Sequence, residues 1–226
     1  MSSVEFLRQI PFCAGLSDAQ LAVLAGCLGK RALAKGVFVF HKDSPGRALF
    51  IVETGRVRIF TVSDSGMEMS LNSYGPGDVF GEVAVLDGLP RSAAAIASEP
   101  SVILSLRQDD LLQLLNIYPQ LARNLIDILT TRLRRTTRFA EDLAFLDVQG
   151  RVAARLLDLD DRFGASGRGT PVALNLTQGE LACWVAASRE SVNKVLVGLR
   201  TRGLIDVQGH QITILDWRQL EREVRY

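Results

Sequence analysis

The sequence predicts an α+β chain in three parts: an antiparallel β-roll of the jelly-roll kind, one long pairing helix, and a C-terminal winged helix-turn-helix. Three observations lead there. Between residues 31 and 107, short β-branched or aromatic runs alternate with turn clusters at intervals of about ten residues, which marks an antiparallel roll, barrel or sandwich. From about residue 120 to 145, apolar residues recur at steps of four and three. After Asp147-Val148-Gln149-Gly150 the composition resets, and two short, well-capped helices follow closely on one another.

Residues 1–30 read as short helices. Ser17 stands as N-cap before Leu21, Leu24 and Leu28, spaced for one buried helical face. Strands are expected over residues 37–40, 48–52, 57–62 and 102–106. Turn clusters part them, among them Asp43-Ser44-Pro45-Gly46 and Gly75-Pro76-Gly77-Asp78. One stretch interrupts, Gly81 to Pro90, where a glycine-led turn opens a short helix. Residues 109–147 are helical, with Pro119 breaking a short helix from a long one. In the long helix Ala122, Ile126, Leu129, Leu133, Thr136, Ala140 and Leu143 form a seam of three heptads between charged flanks. A stripe that narrow suits a self-pairing dimer helix better than a core helix, and Thr136 inside it could also set register. A helix over 149–163 then runs into a flexible loop expected at 164–169. The expected domains are 1–118, the roll with its N-terminal helices; 119–146, the dimerisation helix; and 147–226, the winged helix-turn-helix.

Composition excludes several classes. Of 226 residues 47 % are apolar and 23 % charged, which rules out a disordered chain. No apolar run approaches the ~18 residues of a membrane helix, and the N-terminus has no signal-peptide layout, so neither membrane nor export is expected. Cys13, Cys27 and Cys183 stand far apart, and His41 and His210 are the only histidines. No disulfide framework, metal site, resident cofactor or catalytic triad is expected from so few. The net charge is +1, so any DNA contact must come from a local arrangement.

Thr177 and Glu180 form a capping box, so a helix starts at Gln178. Ser188 caps a second helix, and only two turns and a bend through Ala186-Ala187 lie between. Helices that close cross steeply, as in a helix-turn-helix. Val192, Val195, Leu196 and Leu199 make the buried side of the second helix, while Arg189, Glu190, Asn193 and Lys194 face away. Arg bonds guanine O6 and N7, Glu accepts from cytosine N4, and the N-terminal end of a recognition helix is where base edges come into reach. Gly203 ends that helix, and residues 204–207 and 211–214 read as a hairpin wing. Gly198 inside the second helix costs roughly 1 kcal/mol against Ala.

The Gly77–Ala93 stretch reads as a phosphate cradle. A glycine-led turn into a helix offers backbone N–H groups and a positive dipole end. Arg91 and Ser92 add a bidentate cation and a hydroxyl, and Glu82 an acceptor for a sugar hydroxyl.

Phe80-Gly81-Glu82-Val83-Ala84 with Pro90-Arg91-Ser92-Ala93 resembles the phosphate-binding cassette of cyclic-nucleotide-binding domains. The long helix leading into Leu143–Val148, and Ser188-Arg189-Glu190-Ser191-Val192, resemble the dimer helix, hinge and DNA-reading segment of the Crp–Fnr family of bacterial transcription regulators. The resemblance covers nearly the whole chain. It implies a cytoplasmic homodimer that binds palindromic double-stranded DNA, works with RNA polymerase, and is switched by cyclic AMP or, as the alternative, cyclic GMP. It implies that backbone groups of Gly81, Glu82, Val83 and Ala84 and the side chains of Arg91 and Ser92 hold the cyclic phosphate, with Glu82 on the ribose. Thr136 and Thr137 fall where cyclic-AMP-responsive members place a Thr-Ser pair against the base, one from each subunit. Arg132, one turn earlier, could pair with Glu82. Thr177, Gln178, Ser188, Arg189, Glu190, Asn193 and Lys194 fall to the DNA face. Thr137 replaces the usual Ser, and Lys194 stands where Arg is common. Cys13 and Cys27 do not match the cysteine set of the iron–sulfur members, nor is there an axial-ligand candidate for haem. An enzyme carrying a nucleotide-regulatory domain would need a catalytic constellation in 149–226, and neither a Gly-rich loop with Lys nor a His/carboxylate cluster occurs there.

Overall fold

The computed structural model describes residues 3–163, 173–175 and 177–225. The chain divides into two compact units, residues 1–133 and 134–226, the division falling within the long helix.

The first unit opens with α1 (Ser3–Arg8), a 3-10 turn (Pro11–Cys13) and α2 (Asp18–Gly26). Ser17 caps α2 in a full capping box with Gln20. Eight strands follow: β1 (Leu28–Leu33), β2 (Phe38–Phe40), β3 (Ala48–Thr54), β4 (Val57–Val62), β5 (Glu68–Tyr74), β6 (Val79–Phe80), β7 (Ala94–Ala97) and β8 (Ser101–Arg107). They form two antiparallel four-stranded sheets in the orders β1-β8-β3-β6 and β2-β7-β4-β5. The helix α3 (Val83–Asp87) sits between β6 and β7 in sequence. Then α4 (Gln108–Ile117) and α5 (Pro119–Phe145) meet at Pro119, which starts α5 at a position where its missing N–H costs nothing.

Strand periodicity fixes where the two cores lie. Leu49 and Ile51 of β3, with Leu104 and Leu106 of β8, face a cluster that includes Leu7, Phe12, Leu21, Leu24, Leu111, Leu121 and Leu125. The alternate residues Phe50, Val52 and Ile103 face Val57, Tyr74, Phe80 and Ala95 between the sheets. Asn124, buried on α5, donates from Nδ2 to the carbonyls of Phe12 (2.8 Å) and Ala14 (2.9 Å), tying the N-terminal segment to the long helix.

Of the expected seam, Leu129 packs against this unit's own core. Ile126 is 58 % and Leu133 67 % exposed, so an apolar edge of α5 is left uncovered in the single chain.

The second unit continues α5 into α6 (Val148–Phe163), β9 (Ala173–Asn175), α7 (Gln178–Val185), α8 (Arg189–Thr201), β10 (Ile205–Gln208), β11 (Gln211–Ile214) and α9 (Trp217–Arg222). Its core joins Val152, Leu156, Leu181, Val192, Leu196, Leu199, Ile212 and Leu220. The wing is a three-stranded antiparallel sheet in the order β10-β11-β9. The loop expected at 164–169 lies outside the described residues. Neither α9 nor β9 was expected from the sequence.

Candidate functional site

Two groups of residues carry chemistry, one in each unit. In the first, Gly81 turns the chain from β6 toward α3 with a φ of 76°, a left-handed conformation that suits glycine. A Cβ there would come within 2.8 Å of Arg91 Nη1, so the turn and the arginine are fitted to each other. Gly46 makes a second close approach: a Cβ on it would stand 2.2 Å from that of Ala84. The loop bearing Gly46 also holds the Arg91 backbone, through Asp43 N–H to Arg91 O (2.8 Å) and Arg91 N–H to Ser44 O (2.9 Å).

The Arg91 side chain lies inside, 4 % exposed. Its Nη1 donates to Gly81 O at 2.5 Å and its Nη2 to Ala48 O at 2.6 Å. The guanidinium lies 4.2 Å from the Phe40 ring centroid. Burial pulls its pKa below the ordinary arginine value, and the nearby Glu82 carboxylate opposes that shift.

Glu82 is 3 % exposed. Its Oε1 accepts from Arg132 Nη1 at 2.6 Å. Arg132 Nη2 also donates to Val79 O, and its guanidinium lies 4.6 Å from the Tyr74 ring centroid. Burial raises the Tyr74 phenol, with Arg132 lowering it in part. Two buried polar atoms here have no hydrogen-bond partner, Glu82 Oε2 and Arg91 Nε.

The structure thus brings Gly81, Glu82, Ala84, Arg91 and Arg132 together, with Ala84 buried and Val83 and Ser92 turned to the surface. Thr136 and Thr137 belong to the second unit, exposed on α5 one turn beyond Arg132. Sequence reasoning missed Tyr74, Phe40 and Gly46. Only Gly46 had a signal, its Ser-Pro-Gly turn.

In the second unit, Thr177 accepts from Glu180 N–H at 3.1 Å and Glu180 Oε2 accepts from Thr177 N–H at 2.8 Å, so α7 begins at Gln178 as its capping box predicts. Ser188 accepts from Ser191 N–H at 3.1 Å and starts α8. Between them Ala186 adopts φ 49°, ψ 53°, a left-handed residue that makes the bend. Arg151 Nε donates to Val185 O (2.9 Å) and its Nη1 to Leu146 O (2.9 Å), holding the end of α7 to the start of α6. Val192, Leu196 and Leu199 are buried, while Arg189, Glu190, Asn193 and Lys194 are exposed on α8. Gln178 Nε2 donates to Asn193 Oδ1 at 3.0 Å.

Among the described residues no His/Cys/Asp/Glu group could hold a metal ion, and no helix is long and apolar enough to cross a membrane.

The sequence profile of the cyclic nucleotide-binding domain matches residues 30–118, and that of the Crp-like helix-turn-helix domain matches residues 150–223. A CRP-like cAMP-activated global transcriptional regulator of Mycobacterium tuberculosis is 36 % identical over 222 residues, covering 98 % of this chain and 99 % of the relative. The cyclic AMP receptor protein of Thermus thermophilus is 33 % identical over 199 residues, covering 88 % and 89 %. Among solved structures, the c-di-GMP responsive regulator CLP of Xanthomonas campestris superposes with a TM-score of 0.78 at 26 % identity, covering 88 % of this chain and 99 % of that one. The catabolite activator protein of Thermus thermophilus gives 0.56 at 31 % identity, covering 95 % and 98 %.

Proposed function

The chain belongs to the Crp–Fnr family of transcription regulators, DNA-binding proteins rather than enzymes, and from that premise we propose that it is a homodimer switched by cyclic AMP. The observation that carries the effector reading is the pair of buried, unpartnered atoms at the Gly81 turn, Glu82 Oε2 and Arg91 Nε. A buried polar atom without a partner is costly, and a ligand offering a hydroxyl to one and a phosphate oxygen to the other would satisfy both. A ribose cyclic phosphate has both groups. Backbone N–H groups of Gly81 to Ala84 and the Ser92 hydroxyl would complete the phosphate site. Thr136 and Thr137 would read the base. A threonine hydroxyl both donates and accepts, so cyclic GMP remains the competitor.

The uncovered edge at Ile126 and Leu133 supports pairing of α5 with its copy, in a dimerisation segment over 119–146 between functional domains of 1–118 and 147–226. Ligand binding would shift the population toward the arrangement that sets two copies of α8 about one DNA turn, ~34 Å, apart on a palindrome. Arg189 and Glu190 would read a half-site like TGTGA. Thr177, Ser188 and Lys194 would serve the backbone, RNA polymerase would be the protein partner, and the cytoplasm the site of action.

Calorimetric titration with cyclic AMP, cyclic GMP and cyclic di-GMP, followed by a mobility shift on a palindromic probe, tests this. Cyclic AMP should bind and tighten DNA binding. A tenfold preference for either other nucleotide, or DNA binding indifferent to all three, would overturn the effector assignment.

A further inference from the structure

A side-chain bond joins the two helices of the helix-turn-helix: Gln178 Nε2 on the first turn of α7 donates to Asn193 Oδ1 on α8, at 3.0 Å. Asn193 follows Arg189 by four residues, so the two lie one above the other on one side of α8, next to Glu190 and Lys194. All four are exposed. An asparagine carries one acceptor oxygen and an amide with two donors. With Oδ1 engaged by Gln178, the NH2 group is what Asn193 offers outward.

That orientation has consequences for readout. An untethered asparagine pairs with adenine by using Oδ1 and Nδ2 together, accepting from N6 and donating to N7. The tether draws Oδ1 away from this role. A donor-only group matches guanine, whose major-groove edge presents two acceptors, O6 and N7, and mismatches cytosine, which presents a donor. We propose that Gln178 is a positioning residue that fixes the Asn193 amide NH2-outward, making Asn193 a reader of guanine at one position of each half-site. This rests on the DNA-reading role of α8 argued above and adds a base contact to those of Arg189 and Glu190.

The test is selection of bound sequences from a random DNA pool by the full-length protein, with cyclic AMP at saturating concentration. The wild type should select a palindrome. Asn193→Ala should erase guanine preference at one position per half-site, weaken cognate binding about tenfold, and leave the other positions unaltered. Gln178→Glu is the sharper variant. A carboxylate can only accept, so it would draw the Asn193 NH2 toward itself and turn Oδ1 outward. The preference at that position should then move from guanine to a base with an exocyclic amino group, adenine or cytosine, a change that mere loss of a structural bond would not produce. Both side chains lie at the surface, and thermal unfolding confirms that each variant folds. Unaltered preference in Asn193→Ala, or a Gln178→Glu protein that still selects guanine there, overturns the proposal. A wild type that selects no sequence overturns the DNA-reading role itself, and the bridge with it.

Discussion

Arg132 Nη1 stands 2.6 Å from Glu82 Oε1, joining the long helix to the cassette turn across 50 positions of sequence. The carboxylate is buried, the guanidinium mostly so, and Arg132 also holds Val79 O.

Breaking this pair should be expensive. Arg132→Ala leaves the buried Glu82 carboxyl without its partner, and should lower the unfolding free energy of the unit by about 3 kcal/mol. Replacing both partners, Glu82→Leu with Arg132→Met, should recover most of that loss. Urea unfolding of wild type and both variants decides it, since an Arg132→Ala protein as stable as the wild type would show that the pair contributes nothing.

Arg91 holds two buried carbonyls and is proposed to hold the phosphate, and substitutions should separate the two. Arg91→Lys keeps a cation but loses the planar fork that reaches both Gly81 O and Ala48 O. It should fold and bind cyclic AMP at least tenfold more weakly. Arg91→Ala should lose binding altogether and also some stability, about 1–3 kcal/mol for each carbonyl left buried without a donor. Calorimetry beside thermal unfolding reads both effects.

Two glycines should respond oppositely to alanine. A Cβ on Gly198, in an exposed stretch of α8, meets nothing within 4 Å. Gly198→Ala should raise stability by up to about 1 kcal/mol through helix propensity. Gly81→Ala forces a left-handed φ of 76° on a residue with a Cβ and drives that Cβ toward Arg91. It should cost more than about 1 kcal/mol and abolish nucleotide binding. Denaturation curves of both would settle the contrast.

The dimer should depend on the uncovered edge of α5. Ile126→Glu with Leu133→Glu changes two exposed side chains, so it should leave the fold of the single chain intact while placing like charges across the pairing seam. Light scattering during gel filtration should report a monomer that retains its thermal transition. A variant that stays dimeric would move the interface elsewhere.

Legibility in the sequence followed the strength of local signals. The capping box at Thr177 set the start of α7 to the residue, and the break at Pro119 placed the start of α5 to within one. Within the roll, the four anticipated strands were rich in Val, Ile and Phe. Of the four overlooked there, β1 has exposed residues at four consecutive positions, β5 is largely polar, β7 is Ala-Ala-Ile-Ala and β6 is only two residues long. Such segments become strands because neighbours pair with them, a cause that propensity does not record. The site divides the same way. Gly81, Glu82 and Arg91 were legible because a glycine-led turn, an acid and an arginine together match what a phosphate and a sugar hydroxyl require. Tyr74 beneath Arg132 was not, because only the packing of β5 brings the two together. The helix α9 carried a readable signal in Asp216, its N-cap, and was overlooked.

The profile of the cyclic nucleotide-binding domain starts at residue 30, yet Leu7, Ile10, Phe12, Cys13, Leu21 and Leu24 are full members of the core beneath the β1-β8-β3-β6 sheet. A chain trimmed to the start of that profile should uncover part of Leu49, Ile51, Leu104 and Leu106 and leave the Asn124 amide without its two carbonyls. The stretch matched by the domain profile and the stretch that packs into one core are different. Phe12 shares that core with Val79 and Val85 of the Gly77–Ala93 stretch, so a lesion at Phe12 should loosen the cassette from below, through a shared interior rather than a shared motif.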